Sequence, residues 1–235
     1  LVDLTEVWDN HKDEYTEGTR QIYSVDGVPY ACPQITANWL IWYNPETFSK
    51  HGVKPPNTWD EFLDLLEDLK NAGVTWPTFM PFVDWTGFIW YMELLIRTDP
   101  DFYEDLVAGK AKYTDPPSVE VMEIWQDLLK KGYFGDLQKA AAPGFALYPI
   151  APQFPEWWLN GEIGTLAVAD WVVSHFNAAN ISTDKYDFFV LPNPKPEVGK
   201  TVAVEGVPFC AGKGAANEEF AVEMLDYWMA PEIYE

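Results

Sequence analysis

Positive charge is what this chain has least of. Fifteen lysines and arginines stand against 37 aspartates and glutamates, a formal net charge of −22 over 235 residues. A surface of that sign repels phosphate backbones and anionic headgroups, which argues against nucleic acid as a partner and against adsorption to an anionic membrane surface. Arginine is scarcer still, at Arg20 and Arg97 only. A bidentate clamp on a phosphate or carboxylate ligand therefore has few candidates, and a neutral ligand is favoured. The histidines, His11, His51 and His175, are scattered and match no metal-ligand spacing. No calcium-binding loop, phosphate loop, Gly-x-Ser-x-Gly elbow or Cys-x-x-Cys occurs, so neither metal nor cofactor is expected. No apolar run reaches membrane-spanning length, and no signal peptide or low-complexity tract is visible. Cysteine is limited to Cys32 and Cys210, each in an apolar stretch near a predicted crossover. Two buried thiols and a disulfide both fit that placement.

What is abundant is tryptophan, twelve residues of it. Indole is bulky and carries a donor that needs a partner, and such a surplus suggests that some rings line a half-open cleft. With 48% hydrophobic and 22% charged residues the chain is an ordinary folded protein, long enough for one large or two small domains.

The most informative stretch is residues 25–73. Val25-Asp26-Gly27-Val28-Pro29-Tyr30-Ala31-Cys32-Pro33 is apolar but cut by glycine and two prolines, and reads as a strand leading into a crossover. Trp39-Leu40-Ile41-Trp42-Tyr43 is a dense β-forming run that stops at Asn44-Pro45. After Pro55-Pro56, Thr58 and Glu61 form a capping box for a helix with Trp59, Phe62, Leu63, Leu66 and Leu69 inward, ended by Gly73. Trp42, Tyr43 and Trp59 are read as packing residues.

Further along, residues 76–85 are rich in proline and aromatics, as in a strand and loop beside a cavity. Residues 87–96 read as a buried helix. Asp115-Pro116-Pro117 opens a helix with Val121, Met122, Trp125, Leu128 and Leu129 inward, stopped by Gly132. Residues 145–155 read as a proline-punctuated loop and Pro155-Glu156-Trp157-Trp158-Leu159 as a short helix. Three strands follow, at 163–168, 186–191 and 201–210, the last broken at Glu205-Gly206. Asn217 then caps a helix with Phe220, Ala221, Met224, Leu225 and Trp228 inward. Strands alternating with capped helices make the class α/β.

In their order and spacing, four motifs resemble the extracellular solute-binding proteins of ABC importers, in the family that includes the maltose-binding proteins. They are Asp26-Gly27-Val28-Pro29-Tyr30 with Trp42-Tyr43-Asn44; Pro55-Pro56-Asn57-Thr58-Trp59-Asp60-Glu61; Asn160-Gly161-Glu162-Ile163-Gly164 with Asp170-Trp171; and Val190-Leu191-Pro192 with Val204-Glu205-Gly206. A weaker fifth is Asn217-Glu218-Glu219-Phe220-Ala221 with Ala230-Pro231-Glu232. The resemblance implies a two-lobe periplasmic-binding-protein-like fold of the class II type, truncated at both ends. Residues 1–37 would be part of the first lobe and the first crossing strand, 38–200 the second lobe, and 201–235 the second crossing and return. It also implies a non-catalytic monomer, extracellular, periplasmic or lipid-anchored, that binds a carbohydrate and delivers it to a membrane permease.

A sugar offers apolar C–H faces to aromatic rings and hydroxyls to carboxylates and amides, so its site needs aromatic plates rimmed by polar groups. Trp171, at a strand end beside Asp170, is the leading plate. Glu205 with Gly206 interrupts an apolar strand, where a carboxylate is costly unless it faces a cleft or partner. Trp85 with Asp84 follows a predicted strand. Asn38, Trp39 and Gln34 lie in the first crossing, and Trp157 and Trp158 rank below these. A glycoside hydrolase is the rival from another class, since Asp170 and Glu205 are both carboxylates, but nothing sets them across one bond. A peptide, polyol or uronate ligand on the same fold is a second rival; a uronate would require Arg97, Lys110 or Lys112 at the site.

Overall fold

The computed structural model describes residues 1–80, 84–137 and 153–233, and of Ile35, Thr36, Asp84, Trp85 and Glu205 the backbone alone. The chain divides into two compact units, one made of Leu1–Ala37 with Val204–Glu235 and the other of Asn38–Ala203.

The smaller unit begins with two one-turn helices, α1 (Thr5–Asn10) and α2 (Glu17–Ile22), the second capped by the Thr16 hydroxyl. The stretch predicted as a single strand from residue 25 is instead a hairpin. Strands β1 (Ser24–Val25) and β2 (Val28–Pro29) pair antiparallel about Asp26-Gly27, which sit at φ 52° and 81°. An Asp-Gly pair at positive φ is the two-residue turn whose twist matches antiparallel strands. The 12-residue β3 (Cys32–Tyr43) absorbs both the predicted crossing and the aromatic run.

In the larger unit, Asn44 caps α3 (Pro45–His51). Helix α4 (Trp59–Asn71) starts on the predicted capping box: Thr58 Oγ1 accepts from the Glu61 amide at 3.2 Å and the Glu61 carboxylate accepts from the Thr58 amide at 3.3 Å. Its buried stripe is Phe62, Leu65, Leu66 and Leu69; Leu65 takes the place expected for Leu63. Strand β4 (Trp76–Phe79) leads through a 3-10 turn over Asp84–Phe88 to the buried α5 (Ile89–Ile96). Helix α6 (Pro100–Val107) follows, then α7 (Pro116–Lys130). Val121 and Leu128 of α7 are buried as expected, but Met122 is exposed. The predicted loop at 145–155 lies outside the described residues up to 152, and Pro155 falls within α8 (Phe154–Leu159). Strand β5 (Ile163–Ala169) is buried at every position and runs into α9 (Val172–Ala178); β6 (Asp187–Phe189) is shorter than expected.

The sheet order is β4-β5-β3-β6, with β4 parallel to β5 and β3 antiparallel to both β5 and β6. Gly164 explains how α4 packs on it: a Cβ there would meet Leu69 Cδ1 and the Pro77 carbonyl oxygen, each at 2.7 Å. Strand β7 (Val204–Phe209), shorter than the predicted 201–210, pairs with β3, and α10 (Glu218–Met229) closes the smaller unit. Leu225 and Met229 of α10 are buried with Leu4, Val7, Trp8, Tyr23 and Cys32, whereas Phe220 and Met224, expected inward, are exposed.

Both cysteines are free thiols, Cys32 buried and Cys210 exposed. Burial, with the Asp226 carboxylate adding to it, pushes the Cys32 thiol up to about 12, which keeps it protonated and unreactive.

Candidate functional site

The β3–β5 ladder runs from Tyr43↔Thr165 to Trp39↔Ala169. One residue further it closes on a polar pair. The Asp170 amide donates to the Asn38 carbonyl at 3.0 Å, and Asn38 Nδ2 donates to Asp170 Oδ2 at 2.9 Å. Two residues predicted separately, 132 positions apart, are thus one unit, Asn38 exposed and Asp170 half-buried.

The chain turns from strand to helix at this point. Trp171 takes helical φ and ψ at the start of α9, its carbonyl accepting from the Ser174 amide at 3.2 Å and the Ser174 hydroxyl at 2.7 Å. Its half-buried indole meets the His175 ring edge-on, with centroids 5.4 Å apart and planes at 64°. A backbone locked on one side and a ring propped on the other hold the indole in place. The location fits the general placement of ligands in α/β sheets, beyond the carboxyl ends of the strands. Strand β4 is parallel to β5, so its continuation into Asp84 and Trp85 leaves the sheet at the same end. The side chains of Asp84 and Trp85 lie outside what is described.

Trp39, adjacent to Asn38, is buried at 2% exposure, its amide donating to the Ala203 carbonyl at 2.8 Å, so Asn38 is the member of that pair that reaches solvent. Gln34, half-buried, and Glu205 and Gly206 belong to the smaller unit, and the side chain of Glu205 lies outside what is described. Gly206 has a packing reason: a Cβ there would sit 2.6 Å from the Tyr23 hydroxyl. Trp157 and Trp158 do not reach a rim. Both are buried, and the Trp158 indole donates to the Lys185 carbonyl at 2.9 Å. The tryptophan surplus is largely core: Trp8, Trp76, Trp90 and Trp158 are among the largest fully buried side chains, while Trp59, Trp125, Trp171 and Trp228 are half-buried.

Arg97 is removed from ligand chemistry. It is fully buried, with Nη1 2.8 Å from Glu93 Oε2 and Nε donating to the Leu191 carbonyl at 3.0 Å. Burial pushes the Glu93 carboxyl up to about 7 despite the adjacent guanidinium. Sequence reading missed this pair, although its i, i+4 spacing on an otherwise apolar helix was a visible signal. Lys110 is 73% exposed, 3.8 Å from Asp105, and Lys112 is exposed. Among the described residues no group of three or more His, Cys, Asp and Glu could hold a metal ion, and no helix is long and apolar enough to cross a membrane.

The site therefore offers an aromatic face, a carboxylate acceptor and an amide with both donor and acceptor capacity, on a rigid strand-to-helix turn. That inventory suits a polyhydroxylated ring.

Comparison with known proteins agrees with this frame. The model of the bacterial extracellular solute-binding protein family matches residues 1–235. An ABC transporter extracellular-binding protein of Pyrococcus horikoshii is 28% identical over 255 residues, covering 92% of this chain and 54% of its own length. The diacetylchitobiose-binding protein DasA of Streptomyces coelicolor is 23% identical, covering 96% of this chain and 51% of its own length. The chain thus spans about half the length of these relatives. Among solved structures, a chitin oligosaccharide binding protein superposes with a TM-score of 0.73 at 23% identity, covering 99% of this chain and 58% of that one. The fold is that of the two-lobe solute-binding proteins, and the chain belongs to the bacterial extracellular solute-binding protein family.

Proposed function

We propose that the protein binds a neutral oligosaccharide outside the cell, in the periplasm or on a lipid anchor, and delivers it intact to an ABC transporter permease. The observation that carries this reading is the Asn38–Asp170 pair closing the β3–β5 ladder directly before the half-buried Trp171. Trp171 would stack on a sugar face while Asp170 and Asn38 exchange hydrogen bonds with its hydroxyls. The family and the printed ligands of relatives, diacetylchitobiose and chitin oligosaccharide, support the ligand class.

Two features favour a neutral ligand at this site. The nearest charge is a carboxylate, which repels an anion, and the larger unit's one arginine is held by Glu93. The protein acts as a receptor rather than a hydrolase: hydrolysis needs a second carboxyl at a set separation across the bond, and Asp170 is engaged by an amide.

Calorimetric titration of N,N′-diacetylchitobiose and maltotriose into the full-length protein, with chromatography of the recovered sugar, tests this. Saturable binding of an uncleaved sugar is the expected result. Absence of heat with the folded protein would overturn the carbohydrate reading, and cleavage would overturn the receptor reading.

A further inference from the structure

A groove lies on the larger unit, on elements that carry neither Asp170 nor Trp171. It has a volume of about 460 Å³, within the range of small-molecule sites, and runs between the start of α4 and the segment that follows β6. Pro55, Pro56 and Trp59 form one wall; Leu191, Pro192 and Lys200 form much of the other.

Three side chains give the groove a chemical character. Trp59 was expected to be a packing residue, yet its indole is only half-buried, resting on Phe62 with centroids 5.5 Å apart. Its free face borders the groove. Asn57, also in the lining, is exposed, and its side-chain amide has no hydrogen-bond partner among the described residues; only its backbone N–H is engaged, by Glu61. Lys200 is exposed and has no carboxylate within ion-pair distance among the described residues.

The walls are also fixed. Glu61 and Thr58 lock the α4 start through the capping box, and the Leu191 carbonyl is held by the buried Arg97. Asn193 ties down the turn before Lys200 by donating to the Gly199 carbonyl and accepting from Thr201 Oγ1 at 3.1 Å. A preformed groove with an aromatic plate, an uncommitted amide and an uncommitted ammonium is complementary to a ring with one apolar face, hydroxyls and a negative charge.

We propose that this groove is a second saccharide site, selective for a sugar ring bearing a carboxylate: Trp59 stacks on the ring, Asn57 bonds its hydroxyls and Lys200 pairs with the carboxylate. The site is independent of the neutral-sugar reading for Trp171, and either can fail without the other.

The test is a two-dimensional NMR titration of the 15N-labelled full-length protein with glucuronate, glucose and acetate. The Trp59 indole N–H is assigned by Trp59→Phe, and the Trp171 signal serves as the internal marker of the other site. The expected result is a saturable shift of the Trp59 signal with glucuronate, weaker with glucose and absent with acetate. Lys200→Gln, an exposed change that leaves the fold intact, should weaken glucuronate about tenfold and leave glucose unchanged, as for loss of one charge-assisted bond. An equal response to glucose overturns the acidic selectivity, and an equal response to acetate overturns the sugar. No shift at Trp59, or a glucuronate affinity untouched by Lys200→Gln, overturns the site.

Discussion

Helices α4 and α10 look alike in sequence: each follows a capping residue, Thr58 or Asn217, and each carries an apolar stripe at helical spacing. In the structure they part. Helix α4 buries Phe62, Leu65, Leu66 and Leu69 beside a sheet strand that is buried along its whole length. Helix α10 buries Leu225 and Met229 in a cluster with Leu4, Val7 and Trp8 about α1 and with Tyr23 and Cys32, but leaves Phe220 67%, Met224 48% and Tyr227 68% exposed. The caps differ as well, since Asn217 makes no side-chain bond to the helix start whereas Thr58 completes a reciprocal box. An apolar stripe states what a helix can bury; the neighbouring elements decide how much of it is buried. The same contrast holds for charge, where the buried Glu93–Arg97 pair has few counterparts among the mostly solvent-facing ion pairs of the surface.

The largest effect should come from breaking the buried pair. Arg97→Met leaves the buried Glu93 carboxyl without its partner and is expected to cost about 3–5 kcal/mol near pH 8, where that carboxyl is ionised beside Arg97 and must otherwise stay charged and unpaired or take up a proton. Chemical denaturation should show that loss, while Lys131→Met, which removes an exposed i, i+4 pair with Asp127, should leave the midpoint nearly unchanged.

Next comes the stripe comparison. Leu66→Ala, at a fully buried position, should cost about 2–5 kcal/mol through lost transfer energy and a residual cavity. Phe220→Ala should stay within about 0.5 kcal/mol, since little of that ring is removed from water. Equal losses would show that α10 is packed as tightly as α4.

The pair also sets a pH dependence. The Glu93 carboxyl is raised from its ordinary 4.5 to about 7 in the folded chain, so the folded state holds a proton that the unfolded state releases. Its contribution to stability is full below about 4.5 and is lost as pH rises through about 7. Urea midpoints should therefore fall as the pH is raised from about 5 to about 8. Glu93→Gln should flatten the slope, and an unchanged slope would assign the pH dependence to other groups.

The smallest effect concerns the caps. Thr58→Ala should cost about 1 kcal/mol and Asn217→Ala a few tenths, because only the first removes a bond to an orphan backbone N–H. Thermal melts of the two variants would order them directly.

The sequence made α4, α5, α7 and β5 readable because each carries its own signal, whether a capping box, a proline start or an apolar run. The Asp26-Gly27 hairpin was readable too, as an Asp-Gly pair between apolar residues, but the prolines around it argued for a crossover instead. Helices α3 and α6 carry a cap and a proline start at Asn44-Pro45 and Asp99-Pro100, but each is too short for an apolar stripe to distinguish it from a turn, and α9 has neither signal. At the site, Asp170 and Trp171 were legible from their place at a strand end. Their junction with Asn38 was not, because only the register of β3 on β5 brings residues 132 positions apart together. Trp157 and Trp158 show the opposite limit: side-chain chemistry alone does not tell a rim from a core.

The most direct test of the Asn38–Asp170–Trp171 site compares oligosaccharide affinity in the full-length protein and its Trp171→Ala and Trp125→Ala variants by calorimetry. Both indoles are half-buried, so the pair separates a ligand plate from another half-buried tryptophan in the same unit. Trp171→Ala should weaken binding about thirtyfold or more, the scale of a central aromatic contact, with the melting temperature nearly unchanged, while Trp125→Ala leaves affinity intact. Full affinity in Trp171→Ala would contradict the assignment of this strand end as the sugar site.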